Sequence, residues 1–538
     1  MSLTLVWFAC LLAPASLKPL VAVLAALVAG ALVLVVQTLV PGISVGTEAR
    51  AVLAAAGLGL AALLAGALTG YAPLVSILGV VGQHNGWLLW AVAALWFAVG
   101  TRLARGRQFR ATVWTVAIMG SAAGVFGLLD AAHVVESVRY SPEVAGLMDS
   151  SISLGQVLVL GLGATSALVL MERVRSVRVV AGLMAVVEVL ALVASNARSA
   201  EIAFVAGVWV ALLWTLGSRL DHRVRHTLWG LTAVVLLAAV VGVFVIAALG
   251  PVGTNGLGII LTDRPAIWHS AWARVPSHLL LGEGPDRFTA VVAWGPLNNW
   301  IQWQTTNSPH NVLLDWLLGG GVVALGAFVA ALLLSGQGIA RRLASSRPGP
   351  KLLALGVGAW AVSLLTSWTD PLSAITAALV IGALLCGEKD SRPPTPARIA
   401  STAVITIAAV ALLVAGAPLM ALERGWANDQ RVGGSSLTPL EARWERWPDP
   451  AFGGDALRAS LAELPSSAQT AGRIASEVLE RTSWDTNGAI GSIQVAVALD
   501  AISPSTPHPS VERALAAGRA ADPATALWDR AQSIIEAR

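Results

Sequence analysis

Charged residues are scarce in this chain: of its 538 residues, 12% are charged and 56% are hydrophobic. A soluble protein usually carries about 25% charged residues. So much apolar surface exceeds what a water-soluble core can enclose, which indicates that a bilayer surrounds most of the chain. Cysteine is scarce as well. The two cysteines, Cys10 and Cys386, both lie in apolar runs, and this excludes a disulfide framework and a cysteine-bound metal cluster.

Several catalytic patterns are also missing from the sequence. It contains no phosphate-binding P-loop, no His-Glu-x-x-His zinc motif and no paired-carboxylate motif. We therefore expect no metal and no cofactor. The isoelectric point near 9.6 does not indicate nucleic-acid binding, because the basic residues lie mostly in short loops between apolar runs, where membrane topology explains them.

Apolar runs recur along the first 420 residues, and most are long enough to cross about 30 Å of hydrocarbon as an α-helix. They predict an all-α fold, a polytopic bundle of 12 or 13 transmembrane helices, the first run being the shortest. The runs are 3–16, 19–40, 50–70, 86–101, 111–129, 154–170, 179–195, 199–217, 228–250, 312–334, 352–369, 372–387 and 399–420.

The orientation follows from the basic loops. Five loops hold 17 of the 24 Lys and Arg residues that precede residue 420. Counting the predicted spans places all five on one side, which the positive-inside rule assigns to the cytoplasm. The long loop 251–311, the junction 195–199 and the tail after residue 420 then lie outside. The five basic loops are 102–110, 171–178, 218–226, 341–351 and 388–398.

The tail has a different composition, because residues 421–538 hold 15 of the 31 acidic residues. Segments with helical spacing of apolar residues alternate there with prolines, and paired short helices of this kind resemble a tetratricopeptide-like array. We therefore divide the chain into a transmembrane domain, 1–420, and an extracytoplasmic helical domain, 421–538. The helical segments are 455–464, 469–482, 487–501 and 509–520.

Three arginines on the predicted outer face are candidates for binding an anionic substrate. Arg198 lies between two apolar runs with almost no loop around it. Arg264 is followed by Trp268 in a segment typical of an amphipathic interfacial helix, and Arg287 follows the glycine-rich turn after it. A lone arginine at this depth is more often an interfacial anchor, because its long side chain reaches the headgroups.

A histidine and an acidic residue stand at the outer end of a later span. His310 and Asn311 directly precede the run 312–334, and Asp315 lies just inside it. A lone histidine at a helix start is most often a capping or interface residue, although its usual pKa suits proton transfer near neutral pH. An acidic residue within hydrocarbon usually faces a cavity or a partner, so Asp315 is a candidate for substrate binding.

Together, these residues suit one class of chemistry. Arginine binds phosphate oxygens in a bidentate fork, so Arg198 and Arg264 would neutralise a diphosphate leaving group as charge builds on it. The imidazole of His310 would take a proton from an incoming hydroxyl group. The combination predicts transfer of a sugar from a lipid diphosphate to an acceptor hydroxyl.

Over roughly residues 45–390 the sequence resembles the O-antigen ligase and polymerase superfamily of bacterial membrane glycosyltransferases. The residues from Ser195 to Ala200 are similar to a Ser-x-Ser-Arg-Gly segment of the family, although Ser199 replaces its glycine. Asp315 replaces the commoner Glu or Gln of a second family pattern, His-Asn-x-x-Leu…Gly. The residues that match the family's patterns are Arg264, Trp268, Pro276, Gly282, Gly284, Phe288, His310, Asn311, Leu314 and Gly321.

The resemblance implies a polyprenyl-diphosphate-linked glycan as the donor and a metal-independent transfer that inverts the anomeric centre. By motif, Arg198 and Arg264 would hold the diphosphate and His310 would activate the acceptor. Asn311, Asp315, Trp268 and Arg287 are the predicted substrate-binding residues.

The sequence therefore predicts a glycan ligase in a bacterial inner or plasma membrane, acting on a glycan, lipid or protein acceptor, with a protein partner possible for the tail. A polymerase of the same superfamily is the close alternative, because only the acceptor separates the two. A transporter or flippase for the lipid-linked glycan would require charges deep in several spans and inverted repeats. A further alternative is a non-catalytic scaffold. Its function would be lost without the tail, but it would survive substitution of the arginines and the histidine.

Overall fold

The structure is a computed structural model that describes most of the chain. The described residues are 18–39, 43–44, 46–70, 72–80, 83–103, 106–134, 144–146, 148, 150–216, 221–249, 264–294, 303–343, 348–385, 388–389, 419–422, 437–446, 450–464, 466–482, 486–502, 505–521, 528–529, 532 and 536.

Helices dominate the described residues, which confirms the predicted all-α fold. In the apolar part they are α1 (Lys18–Leu39), α2 (Thr47–Thr69), α3 (Pro73–Leu78), α4 (Trp87–Arg102), α5 (Gly106–Ala131), α6 (Ser151–Met171), α7 (Arg175–Ser195), α8 (Arg198–Leu216), α9 (His222–Leu249), α10 (Arg264–Arg274), α11 (Val312–Leu343), α12 (Pro348–Ser363) and α13 (Pro371–Leu384).

Six of the described helices, α2, α5, α6, α7, α9 and α11, are long and apolar enough to cross a membrane. The chain is therefore a multi-pass membrane protein. Eleven of the predicted runs coincide with described helices, some of which are shorter than a full span. The runs 3–16 and 399–420 lie outside the described residues, apart from the last two positions of the second run. The total of 12 or 13 spans stays a prediction.

The chain divides into two compact units, the first made of Met1–Ala61, Gly82–Val241 and Leu325–Met420. In the first unit, glycines let helix backbones approach closely. A Cβ on Gly163 of α6 would lie 2.7 Å from the Cα of Gly356 on α12, and a Cβ on Gly382 of α13 would lie 2.1 Å from the carbonyl oxygen of Phe97 on α4. These contacts account for α4 packing on α13 and α6 packing on α12.

Glu188 joins three helices within the first unit. It is fully buried on α7, where it accepts hydrogen bonds from the hydroxyls of Ser121 on α5, at 2.9 Å, and Thr165 on α6, at 2.8 Å. A buried acidic group is costly unless it has such partners. The glycines Gly120 and Gly161 leave room for the carboxyl group. Glu188 is thus partnered by hydroxyls of two neighbouring helices within the bundle.

The second unit comprises Ala62–Val81, Gly242–Ala324 and Ala421–Arg538. Its tail contains α14 (Leu437–Arg446), α15 (Pro450–Ala462), α16 (Ala468–Arg481), α17 (Thr486–Ile502) and α18 (Val511–Ala521). Each of these packs on its neighbour along the chain, and α15 also packs on α17. The helices agree with the four predicted segments. The tetratricopeptide-like arrangement and the domain boundary at residue 420 stay predictions.

Short strands are present that the sequence did not predict. In the first unit, β1 (Ile43–Ser44) pairs antiparallel with β4 (Glu388–Lys389). In the second unit, β2 (Ala290–Trp294) pairs antiparallel with β3 (Trp303–Thr306), with an irregular register between Val291 and Ala293. The second pair ends directly before the segment that carries His310.

Candidate functional site

Helix α10 carries Arg264 as its first residue, in the loop predicted to lie outside. Pro265 follows it, and proline is favoured in the first turn because the missing N–H has no partner there anyway. Arg264 is half-buried, and Trp268 lies one turn further on, almost fully buried. Residues four apart share a helix face, so α10 presents the guanidinium and the indole on one side.

The glycine-rich turn after α10 is bound to the start of α11 through its backbone. Gly282 and Gly284 have φ angles of +71° and +101°, which side chains rarely allow. A Cβ on Gly282 would lie 2.3 Å from the carbonyl oxygen of Leu318, and the N–H of Glu283 donates a hydrogen bond to that oxygen at 2.7 Å. The Gly-x-Gly pattern therefore has a physical reason: it lets the turn reach the helix.

Helix α11 is interrupted at Gly320 and Gly321, where the backbone leaves the helical conformation and φ of Gly321 is +70°. The loop enters this break, because the N–H of Val322 donates to the carbonyl oxygen of Leu279 at 2.8 Å. The sequence predicted one continuous helix from 312. The interruption instead separates a short segment near His310 from the long apolar segment that follows.

Arg274, which the sequence did not single out, joins the end of α10 to the loop. Its buried guanidinium donates to the carbonyl oxygen of Thr289 at 2.5 Å, lies 3.6 Å from the carboxylate of Glu283 and stands over the ring of Phe288 at 5.0 Å from the centroid. Phe288, one of the residues that match the family's patterns, therefore contributes to the packing of the loop.

Arg287 and Asp286 contact the loop and the segment around α3. Arg287 is buried, and its Nη1 donates to the carbonyl oxygen of Glu283 at 2.7 Å. Asp286 has a φ of 58° and accepts a hydrogen bond from the N–H of Val80 at 2.6 Å. The side chain of Arg287 thus contacts the loop backbone, and the predicted substrate-binding role of Arg287 stays a prediction.

His310 stands in a short turn between β3 and α11. Its φ is 51°, in the left-handed region that few non-glycine residues adopt, although histidine does so more often than most. Its N–H donates to Ser308 Oγ at 3.1 Å, and its Nε2 lies 3.1 Å from Thr306 Oγ1. Its Nδ1 is enclosed and has no hydrogen-bond partner among the residues that the structure describes.

The electrostatics of the site keep His310 neutral. Burial, and to a lesser extent the positive charge of Arg264, lower the pKa of His310 from 6.5 to about 3. Both effects disfavour the imidazolium form. The charge of Arg264 therefore acts on His310, and the imidazole is unprotonated at neutral pH. The predicted roles of Arg264 in binding the diphosphate and of His310 in activating the acceptor stay predictions.

Asn311 caps α11, and Asp315 follows one turn later. The side-chain oxygen of Asn311, which is fully buried, accepts hydrogen bonds from the N–H groups of Leu313, at 2.9 Å, and Leu314, at 3.1 Å. This is the usual arrangement of an N-cap. Asp315 is half-buried and its N–H donates to the carbonyl oxygen of Asn311 at 2.9 Å.

Arg198 belongs to the first unit. It is the first residue of α8, and only Asn196 and Ala197 separate it from the end of α7. Asn196 has a φ of 52°, and the N–H of Arg198 donates to its carbonyl oxygen at 3.0 Å. The near absence of a loop, which the sequence indicated, is confirmed, and the Arg198 side chain is exposed.

The described residues contain no group of three or more His, Cys, Asp or Glu side chains placed to hold a metal ion. What the second unit presents is an arginine beside a neutral histidine, with an indole nitrogen, Trp268 Nε1, that is enclosed and lacks a hydrogen-bond partner in the described part of the chain. The chain is thus a polytopic α-helical membrane protein with a polar site in the segment between two of its apolar helices.

Residues 179–329 match the family model described as O-antigen ligase. The match begins in α7, ends in α11 and contains Arg198, Arg264 and His310. It confirms the resemblance to the O-antigen ligase and polymerase superfamily, and it supports a membrane glycosyltransferase of that type. None of the curated protein sequences compared with the chain matches it.

Proposed function

We propose that this protein is a glycan ligase, which transfers an oligosaccharide or polysaccharide from a polyprenyl-diphosphate carrier to an acceptor hydroxyl on the outer face of a bacterial inner membrane. The observation that carries the proposal is the pair of Arg264 and His310 in one compact unit. The guanidinium offers positive charge for a diphosphate. The imidazole on which this charge acts is neutral, and its enclosed Nδ1 has no hydrogen-bond partner in the described part of the chain.

In the proposed reaction, His310 takes the proton of the acceptor hydroxyl as its oxygen attacks the anomeric carbon of the donor sugar. The new glycosidic bond forms as the bond between that carbon and the diphosphate oxygen breaks, and the electron pair leaves with the lipid diphosphate. Attack from the opposite face inverts the anomeric centre. Arg264, together with Arg198 by its place in the motif, would stabilise the charge that develops on the leaving group.

Trp268 is proposed to contact the donor. It lies on the same face of α10 as Arg264, and its enclosed Nε1 has no acceptor in the described part of the chain. A buried donor without a partner requires an explanation, and a phosphate or sugar oxygen would supply the acceptor. Asp315, one turn into α11, is proposed to accept hydrogen bonds from sugar hydroxyls.

The contacts of Asn311 and Arg287 fit a supporting role within the protein better than direct contact with the substrate. Asn311 Oδ1 caps α11 directly after His310, and Arg287 donates to the loop backbone. Through these bonds they would hold the elements that carry the histidine and the arginine. The tail is proposed to bind a protein partner or the acceptor on the outer side.

A polymerase of the same superfamily remains the alternative within this class, because the same donor chemistry serves both reactions. A lipid-linked glycan transporter is the alternative from another class. In the described spans, Glu188 is fully buried and accepts hydrogen bonds from two hydroxyls that belong to the protein, which fits a structural contact between helices better than a path for a substrate.

The test uses the purified full chain in detergent with a polyprenyl-diphosphate oligosaccharide and cell-envelope extract. The release of lipid diphosphate is measured for the wild type and for His310→Ala. We expect release by the wild type, a loss of about 100-fold or more in the variant, and no effect of EDTA. Product size then separates a ligase from a polymerase. A wild type that binds the donor but releases no lipid diphosphate would favour the transporter.

A further inference from the structure

An imidazole that acts as a base has one nitrogen available for the substrate proton, and the other must carry its own hydrogen. The hydrogen bond that one nitrogen makes decides which of the two carries the hydrogen and which is left to accept the substrate proton. For His310, the contact that decides is with Thr306, the last residue of β3, whose Oγ1 lies 3.1 Å from Nε2.

The Thr306 hydroxyl has a single hydrogen, and the geometry directs this hydrogen to an acceptor other than His310. Oγ1 donates to the carbonyl oxygen of Ser308 at 3.0 Å, and the N–H of Ser308 approaches the same Oγ1 at 3.4 Å. A hydroxyl that donates its only hydrogen can still accept. Oγ1 is therefore the acceptor in its contact with His310, so the hydrogen of the neutral imidazole sits on Nε2.

The other nitrogen then has a free lone pair. Nδ1 is enclosed and has no hydrogen-bond partner among the described residues. With Nε2 protonated, Nδ1 is the acceptor nitrogen, which is the form that a general base needs. Other contacts hold the turn as well: Thr306 is buried and pairs with Ala290 across the strands, and Ser308 Oγ accepts a hydrogen bond from the N–H of His310.

We propose that Thr306 is a positioning residue that fixes His310 as the Nε2–H tautomer, so that Nδ1 receives the proton of the acceptor hydroxyl. The part of this proposal that concerns proton transfer rests on the proposed function, whereas the tautomer is a property of the free protein. At metal-binding histidines, removal of the partner that fixes the ring and its tautomer typically costs about 10–100-fold, and we expect a change of the same order for His310.

The first test compares Thr306→Val and Thr306→Ser in the lipid diphosphate release assay. Valine keeps the volume and the β-branch that suits a strand but lacks the acceptor, whereas serine keeps the acceptor. We expect kcat to fall by about 10–100-fold for valine with little change in the donor KM, and serine to restore most of it. Thr227→Val, at an exposed position on α9, serves as the matched control. Equal kcat for wild type and Thr306→Val would overturn the proposal.

The second test reads the tautomer without any turnover. In protein with ¹⁵N-labelled histidines, the protonated and unprotonated nitrogens of a neutral ring give separate signals, and His310→Asn identifies those of His310. We expect hydrogen on Nε2 in the wild type and in Thr306→Ser, and a mixture or a shift to Nδ1 in Thr306→Val. Hydrogen on Nδ1 in the wild type, or no change in the valine variant, would overturn the proposal. If the wild type shows Nε2–H but releases no lipid diphosphate, the proposed function fails and the tautomer assignment stands.

Discussion

At the scale of single residues, the shape of a charged group decides how it holds a diphosphate. Arg264 and a lysine would carry the same charge, but only the guanidinium offers a planar fork to two oxygens. We therefore predict that Arg264→Lys loses at least about tenfold in lipid diphosphate release. Arg175→Lys, at an exposed position on α7, is the control and should keep wild-type release. Full activity of Arg264→Lys would contradict bidentate binding.

Candidates for the chemistry could be proposed from the sequence and stay predictions, whereas the residues that contact and support them in the structure could not be. Arg264 and His310 could be singled out because they match the family's patterns and lie on the predicted outer side, where the positive-inside rule leaves few basic residues. Thr306 and Arg274 attract no notice in a sequence, since threonine and arginine are common in polar loops. Their contacts depend on the backbone conformation: the turn after β3 places Thr306 Oγ1 3.1 Å from His310 Nε2, and the return of the loop places the carbonyl oxygen of Thr289 2.5 Å from Arg274.

At the scale of elements, substitutions of Asn311 can distinguish a helix-capping role of its side chain from a substrate-binding role. Loss of an N-cap side chain costs about 0.5–2 kcal/mol, and serine, which is also uncharged, caps about as well as asparagine does. We predict that Asn311→Ala lowers the melting temperature in detergent more than Asn311→Ser does. If Asn311→Ser is as stable as the wild type but loses release, the side chain also contacts the substrate.

The break in α11 can be tested at Gly321. With φ at +70°, and with a Cβ that would lie 2.2 Å from the carbonyl oxygen of Leu280, alanine fits neither the backbone nor the space. We predict that Gly321→Ala destabilises the protein by about 2 kcal/mol and lowers release. Gly326→Ala, on the same helix with nothing within 4 Å of the added Cβ, should be neutral or slightly stabilising. Equal melting temperatures for both variants would contradict this account of the break.

Hydropathy predicted the helices well and the break not at all. The apolar run identifies α11 because hydropathy is averaged over many residues. Gly320 and Gly321 are apolar enough to leave this average hydropathy unchanged. The pair of β2 and β3 was missed for a related reason. Its pairing is set by contacts between segments that are separate in sequence, whereas local periodicity reports only the neighbours along the chain.

At the scale of the whole molecule, the orientation of the spans is open to a direct measurement. The basic loops predict that residue 300 lies outside and residue 346 inside. In a background with Cys10→Ala and Cys386→Ala, an impermeant thiol reagent added to intact cells should label Trp300→Cys and leave Ser346→Cys unlabelled until the membrane is opened. The reverse pattern would overturn the predicted topology and, with it, the proposed outer-face reaction.

The attachment of the glycine-rich turn to α11 has a consequence for how the sequence can vary among relatives. The two hydrogen bonds that make it, from Glu283 to Leu318 and from Val322 to Leu279, join backbone groups only. The side chains of Leu279, Leu280 and Leu281 point away and are 48%, 68% and 47% exposed. Selection can therefore retune these three positions to the lipids or sugars that surround a particular cell, while the glycines that admit the backbone have no such freedom.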